Sequence, residues 1–169
     1  MANIKSIARK INNMAKDDQD IRKKILINKP FSKHVIKKLK EIDTRTTNFM
    51  KEVVSNIGLP TISKVGEKAS NNAWLLVQHS PDMKFQKKYL NLLKKNVSDV
   101  KRANIAYLDD RLRVSDGKPQ FYGTQLQKNK ATGNWEFCEI KDRVNVNERR
   151  KEMGLGTIED YIEDFLSQD

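Results

Sequence analysis

Cysteine is nearly missing from this chain of 169 residues, where Cys138 is the only one. A single cysteine excludes an internal disulfide and is typical of a reducing compartment. The start, Met1 to Lys5, lacks a secretory hydrophobic region, and the longest apolar run, Ala73 to Val77, is far shorter than the roughly 20 residues that span a bilayer. We therefore expect a cytoplasmic protein with no membrane partner.

Metal-ligand clusters and nucleotide-binding patterns are also missing. His34 and His79 are the only imidazoles, and they lie far apart with no cysteine cluster, so no zinc site is expected. Gly154-Leu155-Gly156 is too short to indicate a phosphate loop. Cys138 lies in a strand without a motif, which favours packing over a nucleophilic role. The sequence leaves any cofactor unknown.

Positive charge dominates, and it is uneven. The formal net charge is +11, with +12 in residues 1–100 and −1 in residues 101–169. Such a basic half could attract nucleic acid or an anionic membrane surface. The excess is mostly lysine spread over helix exteriors, without an arginine-rich run and with few aromatics, which favours a solvated surface over RNA binding.

Apolar periodicity predicts a mainly α-helical, compact, single domain over residues 1–169, with five to seven helices and one small β-hairpin. Leu112 to Val114 is expected to be extended, and the hairpin is expected to pair a strand at Gln120–Leu126 with Trp135–Ile140. Helices are expected at 4–26, at 32–57 after a break at Pro30, at 69–79, from Asp82, from a cap at Ser98 to an end at Asp109-Asp110-Arg111, from Asn147 to Gly154, and from a capping box at Thr157.

Two charged residues continue the apolar stripe of the first helix. Ile11 and Ala15 lie on this stripe, and the same spacing leads to Asp18 and Arg22. If this face is buried, the pair needs partners in the fold; if the helix frays outward, it is an ordinary exposed ion pair. Asp43, at the edge of the stripe of the second helix, is a weaker candidate.

Two polar motifs interrupt apolar segments. Gln78 and His79 end the most apolar helix, and Gln120, Tyr122 and Thr124 line one side of the predicted strand. Because both interrupt otherwise apolar elements, we expect them to meet in one site. The helix end favours a charged imidazolium at His79, which suits proton transfer. The alternative is a partly buried histidine that only caps helix carbonyls.

Several short motifs extend over nearly the whole chain. They are Asp18-Gln19 with Arg22, Gly58 with Pro60, Val65-Gly66, Ala73-Trp74-Leu75 with Gln78-His79, Phe85-Gln86, Tyr107-Leu108 with Asp110-Arg111, Pro119 to Gln125, Val146 to Arg150, and Gly154-Leu155. Together they resemble the pattern of a family of bacterial proteins defined only as a domain of unknown function. Thr46 stands three residues after Asp43 where that family has Asn, and Asn147 stands where members often have Asp. The resemblance implies no activity.

The candidate site suits a small polar or anionic ligand. Arginine can grip a carboxylate or phosphate with two hydrogen bonds, while glutamine and tyrosine orient it. His79 is the predicted acid–base group, with Asp110 as the carboxylate that holds its ring. The ligand-binding candidates are Asp18, Arg22, Trp74, Gln78, Arg111, Gln120, Tyr122, Thr124, Gln125, and Arg149 or its neighbour Arg150.

Two functions from different classes follow from these residues. The first is a ligand-binding domain in which His79 supports hydrolase or transferase chemistry. The second is a non-enzymatic structural or interaction module, whose buried polar network specifies the fold and whose basic helices contact an acidic partner or RNA. An accessible pocket shared by His79, Gln120 and Tyr122 would favour the first, and sealed, fully hydrogen-bonded side chains would favour the second.

Overall fold

The computed structural model describes residues 3–27 and 33–167. This part of the chain is mainly helical, with eight helices and one two-stranded antiparallel hairpin, which confirms the predicted fold class. The break at Pro30 lies outside the described residues. The chain folds as two compact units, Met1–Val100 and Lys101–Asp169, and each is described by itself. The expectation of a single domain stays a prediction.

The first unit consists of helices packed around a central one. The elements are α1 (Ile4–Ile27), α2 (Lys33–Ile57), α3 (Ile62–Val65), α4 (Glu67–Gln78), α5 (Met83–Lys95) and a 3₁₀ turn at Val97–Asp99. The helix α4 packs on α1, α2, α3 and α5, as its nearly continuous apolar surface predicts. Its residues Ala73, Leu76 and Val77 have no exposed surface. The four-residue α3 lies between the helices predicted at 32–57 and 69–79, where the sequence predicted no helix.

The second unit has three helices and the hairpin. The elements are α6 (Arg102–Ser115), β1 (Leu126–Lys128), β2 (Trp135–Phe137), a 3₁₀ turn at Arg143–Asn145, α7 (Val146–Glu152) and α8 (Ile158–Leu166). In the hairpin, Leu126 pairs with Phe137 and Lys128 pairs with Trp135. The predicted capping box is present, since the Thr157 hydroxyl accepts from the Asp160 backbone N–H and the Asp160 carboxylate accepts in return.

The expected bounds of α6 are wrong at both ends. Ser98 belongs to the 3₁₀ turn, and the helix begins only at Arg102. Leu112 to Val114 is helical rather than extended. Leu112 is 4% exposed. The additional helical turn therefore buries its apolar side chain, and this burial favours the helix over an extended segment.

The expected strand at Gln120–Leu126 is also wrong, because only Leu126 belongs to β1. Gln120 forms one isolated parallel bridge with Ile140, and Gly123 has a left-handed backbone with φ of +62°. Backbone groups between these points bind side chains rather than a neighbouring strand, as detailed below. The alternating polar pattern therefore belongs to a loop with side-chain partners.

Gly123 tests how tightly this loop is packed. A Cβ added there would lie 3.0 Å from Ile158 Cγ2 and 3.1 Å from Ile140 Cδ1, whereas one added at Gly133, with φ of +73°, meets no atom within 4 Å. We expect G133A to lower the free energy of unfolding by about 1 kcal/mol through backbone strain. G123A should lose roughly 1–3 kcal/mol more through overpacking. Urea denaturation of both variants checks this, and equal losses would contradict it.

Candidate functional site

A fully buried carboxylate lies at the centre of the first unit. Asp18 has no exposed surface, and it shares one face of α1 with Ile11 and Ala15, which are 0% and 3% exposed. The helix therefore does not fray outward at this point. Burying an ionised carboxylate is costly unless its oxygens are hydrogen-bonded, so Asp18 depends on the partners around it.

Three side chains bind this carboxylate. The Nδ1 of His79 lies 2.8 Å from Asp18 Oδ2, and Gln19 Nε2 donates to the same oxygen over 2.9 Å. Arg22 Nε donates to Oδ1 over 3.0 Å. An ionised carboxylate can only accept, so Nδ1 of His79 carries a proton. The contact fixes the orientation of the ring and leaves Nε2 as its second functional atom.

Arg22 joins a second carboxylate to the cluster. Its Nη2 donates to Asp43 Oδ1 over 2.5 Å. The helix α2 therefore contributes a residue to the cluster, in addition to the residues from α1 and from the end of α4. The side chains of His79, Asp43 and Arg22 are 14%, 17% and 27% exposed, whereas Asp18 is sealed. Asp18 is thus the buried end of the cluster, and the other three side chains form an edge that reaches solvent.

The two carboxylates differ in acidity. Burial by itself raises the pKa of Asp18, but the hydrogen bond and electrostatic attraction of the His79 ring, together with the positive charge of Arg22, outweigh it and hold the pKa below its usual range. At Asp43 burial prevails, and its pKa is raised despite the attraction of Arg22. Asp18 is therefore the firmly ionised member of the pair, and Asp43 is the one that takes up a proton more readily.

Polar contacts also fix the chain just after α4, where His79 is the C-cap residue. Gln86 Nε2 donates to the backbone oxygens of Gln78 and Ser80 over 3.1 and 2.7 Å. Thr47 Oγ1 lies 2.9 Å from Ser80 Oγ. Gln86 is 1% exposed and Ser80 is 4% exposed, so the segment that carries the imidazole is held by buried hydrogen bonds.

Thr46 occupies the position at which the sequence resemblance implies Asn. It is fully buried, and its hydroxyl donates to the backbone oxygen of Asp43 over 3.1 Å. This bond stays within α2, so the polar group is satisfied locally. Asp43 itself was only a weak candidate from the sequence, because its partner Arg22 lies 21 positions away and no local pattern joins them.

The second unit has its own buried carboxylate, Asp110, which is also 0% exposed. It accepts from the backbone N–H groups of Phe121, Tyr122 and Thr124 over 2.7, 3.1 and 3.1 Å, and from the Thr124 hydroxyl over 3.0 Å. Burial raises the pKa of Asp110, against the effect of these four donors. Its oxygens are used to hold the loop at residues 120–125.

Two arginines of α7 hold the carbonyls of the same loop. Arg149 Nε donates to Phe121 O over 2.9 Å. Arg150, which is 2% exposed, donates from Nη1 to Tyr122 O over 2.7 Å and to Gly123 O over 3.1 Å. The sequence signal for this contact was only the Arg-Arg pair, which does not show that one of the two is buried.

The buried side chain of Gln120 binds backbone groups at the end of the same loop. Its Nε2 donates to Gln125 O and Cys138 O over 2.9 and 2.8 Å, and its Oε1 accepts from Gln125 N over 2.8 Å. Tyr161 donates its hydroxyl to Thr124 O over 3.1 Å. The polar side chains that the sequence pattern assigned to a ligand thus satisfy the backbone of an irregular loop.

The candidate residues therefore fall into two sets. Asp18 and Arg22 meet His79 in the first unit, where Trp74 and Gln78 lie half-buried on α4. The carboxylate that holds the imidazole is Asp18, whereas the sequence suggested Asp110. The members in the second unit are Asp110, Arg111, Gln120, Tyr122, Thr124, Gln125 and Arg149. A site shared by His79 and Tyr122 stays a prediction.

The chain matches a family model described as a family of unknown function, DUF6624, over residues 6–168. The chain belongs to this family. Comparison with curated proteins and with solved structures finds no match. The membership confirms the resemblance and carries no activity, so function has to be argued from the geometry of the site.

Two further findings describe the same residues. Over residues 3–27 and 33–167, no group of three His, Cys, Asp or Glu side chains is arranged to hold a metal ion. Within these ranges, no helix has both the length and the apolar character needed to cross a membrane.

The lowered pKa of Asp18 predicts a pH-dependent contribution to stability. The folded state favours the ionised form, so this contribution is present above the ordinary value of 3.8 and is lost as pH falls through the lower folded pKa. We expect D18N to lower the free energy of unfolding by about 3 kcal/mol near pH 6, because it breaks a buried charged network. The difference from wild type should shrink below pH 3.8.

Asp17 provides the matched control for this measurement. It is adjacent to Asp18 but 57% exposed, and it pairs with Arg45 at the surface over 3.0 Å. D17N should cost less than about 1 kcal/mol. Urea denaturation of the three proteins between pH 2.5 and 6 tests the prediction, and a D18N deficit that stays constant with pH would contradict it.

Proposed function

We propose that the first unit carries an acid–base site, centred on His79 and Asp18, that binds a small polar or anionic molecule and acts on it by hydrolysis or group transfer. The observation that supports this is the 2.8 Å contact between Nδ1 of His79 and a carboxylate with no exposed surface. Such a contact holds one tautomer and presents Nε2 to a reacting group. A cytoplasmic location, which fits the single buried Cys138, is part of the proposal.

The proposed chemistry uses Nε2 as the proton carrier. Over the described ranges, Nε2 of His79 has no hydrogen-bond partner, while Nδ1 is held by Asp18. Nε2 takes a proton from a water or from an acceptor hydroxyl as that oxygen attacks the ligand. The ring then carries a positive charge, which the ionised Asp18 stabilises, and Nε2 returns the proton to the leaving group.

Arg22 is the proposed anchor for an anionic group. Its Nε donates to Asp18 and its Nη2 donates to Asp43, and in the described part of the chain its Nη1 makes no hydrogen bond. With 27% of its side chain exposed, the guanidinium reaches the solvent edge of the cluster. An oxyanion there would gain a charge-assisted hydrogen bond from a donor already held by two carboxylates.

The second candidate function is a non-enzymatic structural or interaction module, and one observation in the second unit favours it. The polar atoms of Asp110, Gln120 and Arg150 bind the backbone of the loop at residues 120–125, and all three residues are at most 2% exposed. Such a satisfied network fixes an irregular loop without any ligand.

Replacement of His79 separates the two candidates. We expect H79Q to stay folded, since glutamine can still hydrogen-bond to Asp18, and to lose turnover by roughly 10²- to 10⁴-fold, the range typical of a removed acid–base group. The assay begins with a panel of nitrophenyl phosphates, carboxylic esters and glycosides, and with transfer to added alcohols. Thermal unfolding of each variant is measured beside turnover.

His34 is the matched control, because it is the other histidine of the chain and its side chain is exposed on α2. H34Q should leave both turnover and the unfolding temperature unchanged. Full turnover in H79Q would exclude the acid–base role. An unfolding temperature many degrees below that of H34Q would show that His79 acts in stability, and the structural candidate would then replace the enzymatic one.

A further inference from the structure

The solvent face of α5 (Met83–Lys95) carries one kind of charge. Each exposed residue of this helix is a lysine, apart from Asn91, and the helix contains no acidic residue. Its other face is the buried one, with Phe85, Tyr89 and Leu93 among the core residues. We call the exposed side the α5 lysine face, and it consists of Lys84, Lys87, Lys88, Lys94 and Lys95.

Helical geometry gathers these lysines into a stripe. Lys84, Lys88 and Lys95 lie in one row together with Asn91, because positions i, i+4, i+7 and i+11 repeat on the same side of a helix. Lys87 and Lys94 form the row beside it. At 1.5 Å per residue, the stripe is about 16 Å long.

The nearest acidic residues along the chain already have other roles. Asp82 caps α5 by accepting from Phe85 N, and its Oδ2 lies 2.6 Å from Lys51 Nζ. Asp99 accepts from the backbone N–H of Ser63 over 2.9 Å. The helices α1, α2 and α4 mix lysines with acidic residues, whereas α5 does not. The structure therefore concentrates on one helix a charge that looks dispersed in the sequence.

We propose that the α5 lysine face binds the phosphate backbone of a nucleic-acid duplex without reading its sequence. Along about 16 Å of axis, one strand of a duplex presents about five phosphates, so the stripe is long enough to contact several of them. Lysine is a mobile point charge that neutralises phosphates but lacks the planar fork by which arginine reads guanine. This surface is independent of the acid–base site.

The composition of the face favours this partner over two others. It exposes no aromatic side chain, so it offers no stacking platform for the open bases of a single strand. It exposes no large apolar side chain either, whereas an amphipathic helix at a membrane inserts such residues and a protein partner needs them as anchors. A duplex stacks its bases inside and lines its outer surface with phosphates, which point charges can neutralise.

A charge-matched pair of variants tests the proposal on the full chain. The first replaces four of the five lysines of the stripe by glutamine, K84Q/K87Q/K88Q/K95Q. The second removes four exposed lysines from the second unit, K101Q/K118Q/K130Q/K151Q, and so has the same net charge. The probe is a fluorescent 20-base-pair DNA duplex of random sequence, titrated by anisotropy from 50 to 200 mM NaCl.

We expect wild type and the second variant to bind alike, within about threefold, and the first variant to bind at least tenfold more weakly at 50 mM salt. The slope of log affinity against log salt should become shallower by about 3.6 in the first variant only, since each of the four lost phosphate contacts contributes about 0.9. Equal losses in both variants, or no binding by wild type, would overturn the proposal.

Competition assays identify the partner class. Unlabelled duplex should displace the probe more strongly than a single strand or polyglutamate at the same charge concentration, and vesicles containing phosphatidylserine should not retain the protein at 150 mM salt. Stronger displacement by polyglutamate or by the single strand, or retention on vesicles that the first variant loses, would assign the face to a different partner.

Discussion

Buried carboxylates are the constraint on which both units of this protein depend. An ionised aspartate without water costs several kcal/mol unless each oxygen accepts hydrogen bonds, so the chain around it has to supply donors. Asp18 obtains them from side chains of α1 and from the residue that ends α4, and Asp110 obtains them from the backbone and hydroxyl of a loop. Each carboxylate thereby fixes segments that the sequence keeps apart.

The kind of donor separates a candidate reaction centre from a structural one. Asp18 is bound by groups with chemistry of their own, and His79 and Arg22 also reach solvent. Proton transfer and anion binding are therefore available at the edge of the cluster. Asp110 is bound mainly by peptide N–H groups, which hold a loop but exchange no proton with a ligand. The same residue type thus supports a functional proposal in one unit and a structural one in the other.

The lysines of the first unit also differ in their surroundings from one helix to another. Many lysines of the first unit share their helices with acidic residues, so their fields partly cancel. On α5 the lysines face outward together because the inward positions are taken by apolar and aromatic side chains. A helix that buries one face has to expose the remainder, and here the remainder is nearly pure lysine. Net charge alone does not reveal this, since it depends on which residues share a face.

Local patterns determined the helical class, the start of α5 at Asp82, the capping box at Thr157 and the family, because these depend on neighbours within a few residues. The sequence by itself also placed Asp18 and Arg22 on the apolar stripe of the first helix, and left open whether that stripe is buried at this point. Only the tertiary structure decided that His79 pairs with Asp18, 61 positions away, and that the loop at residues 120–125 is held by Asp110 and Arg150 rather than by a strand. The physical reason is that a buried polar group must find its partner in space, and sequence periodicity specifies a face without specifying what packs on it.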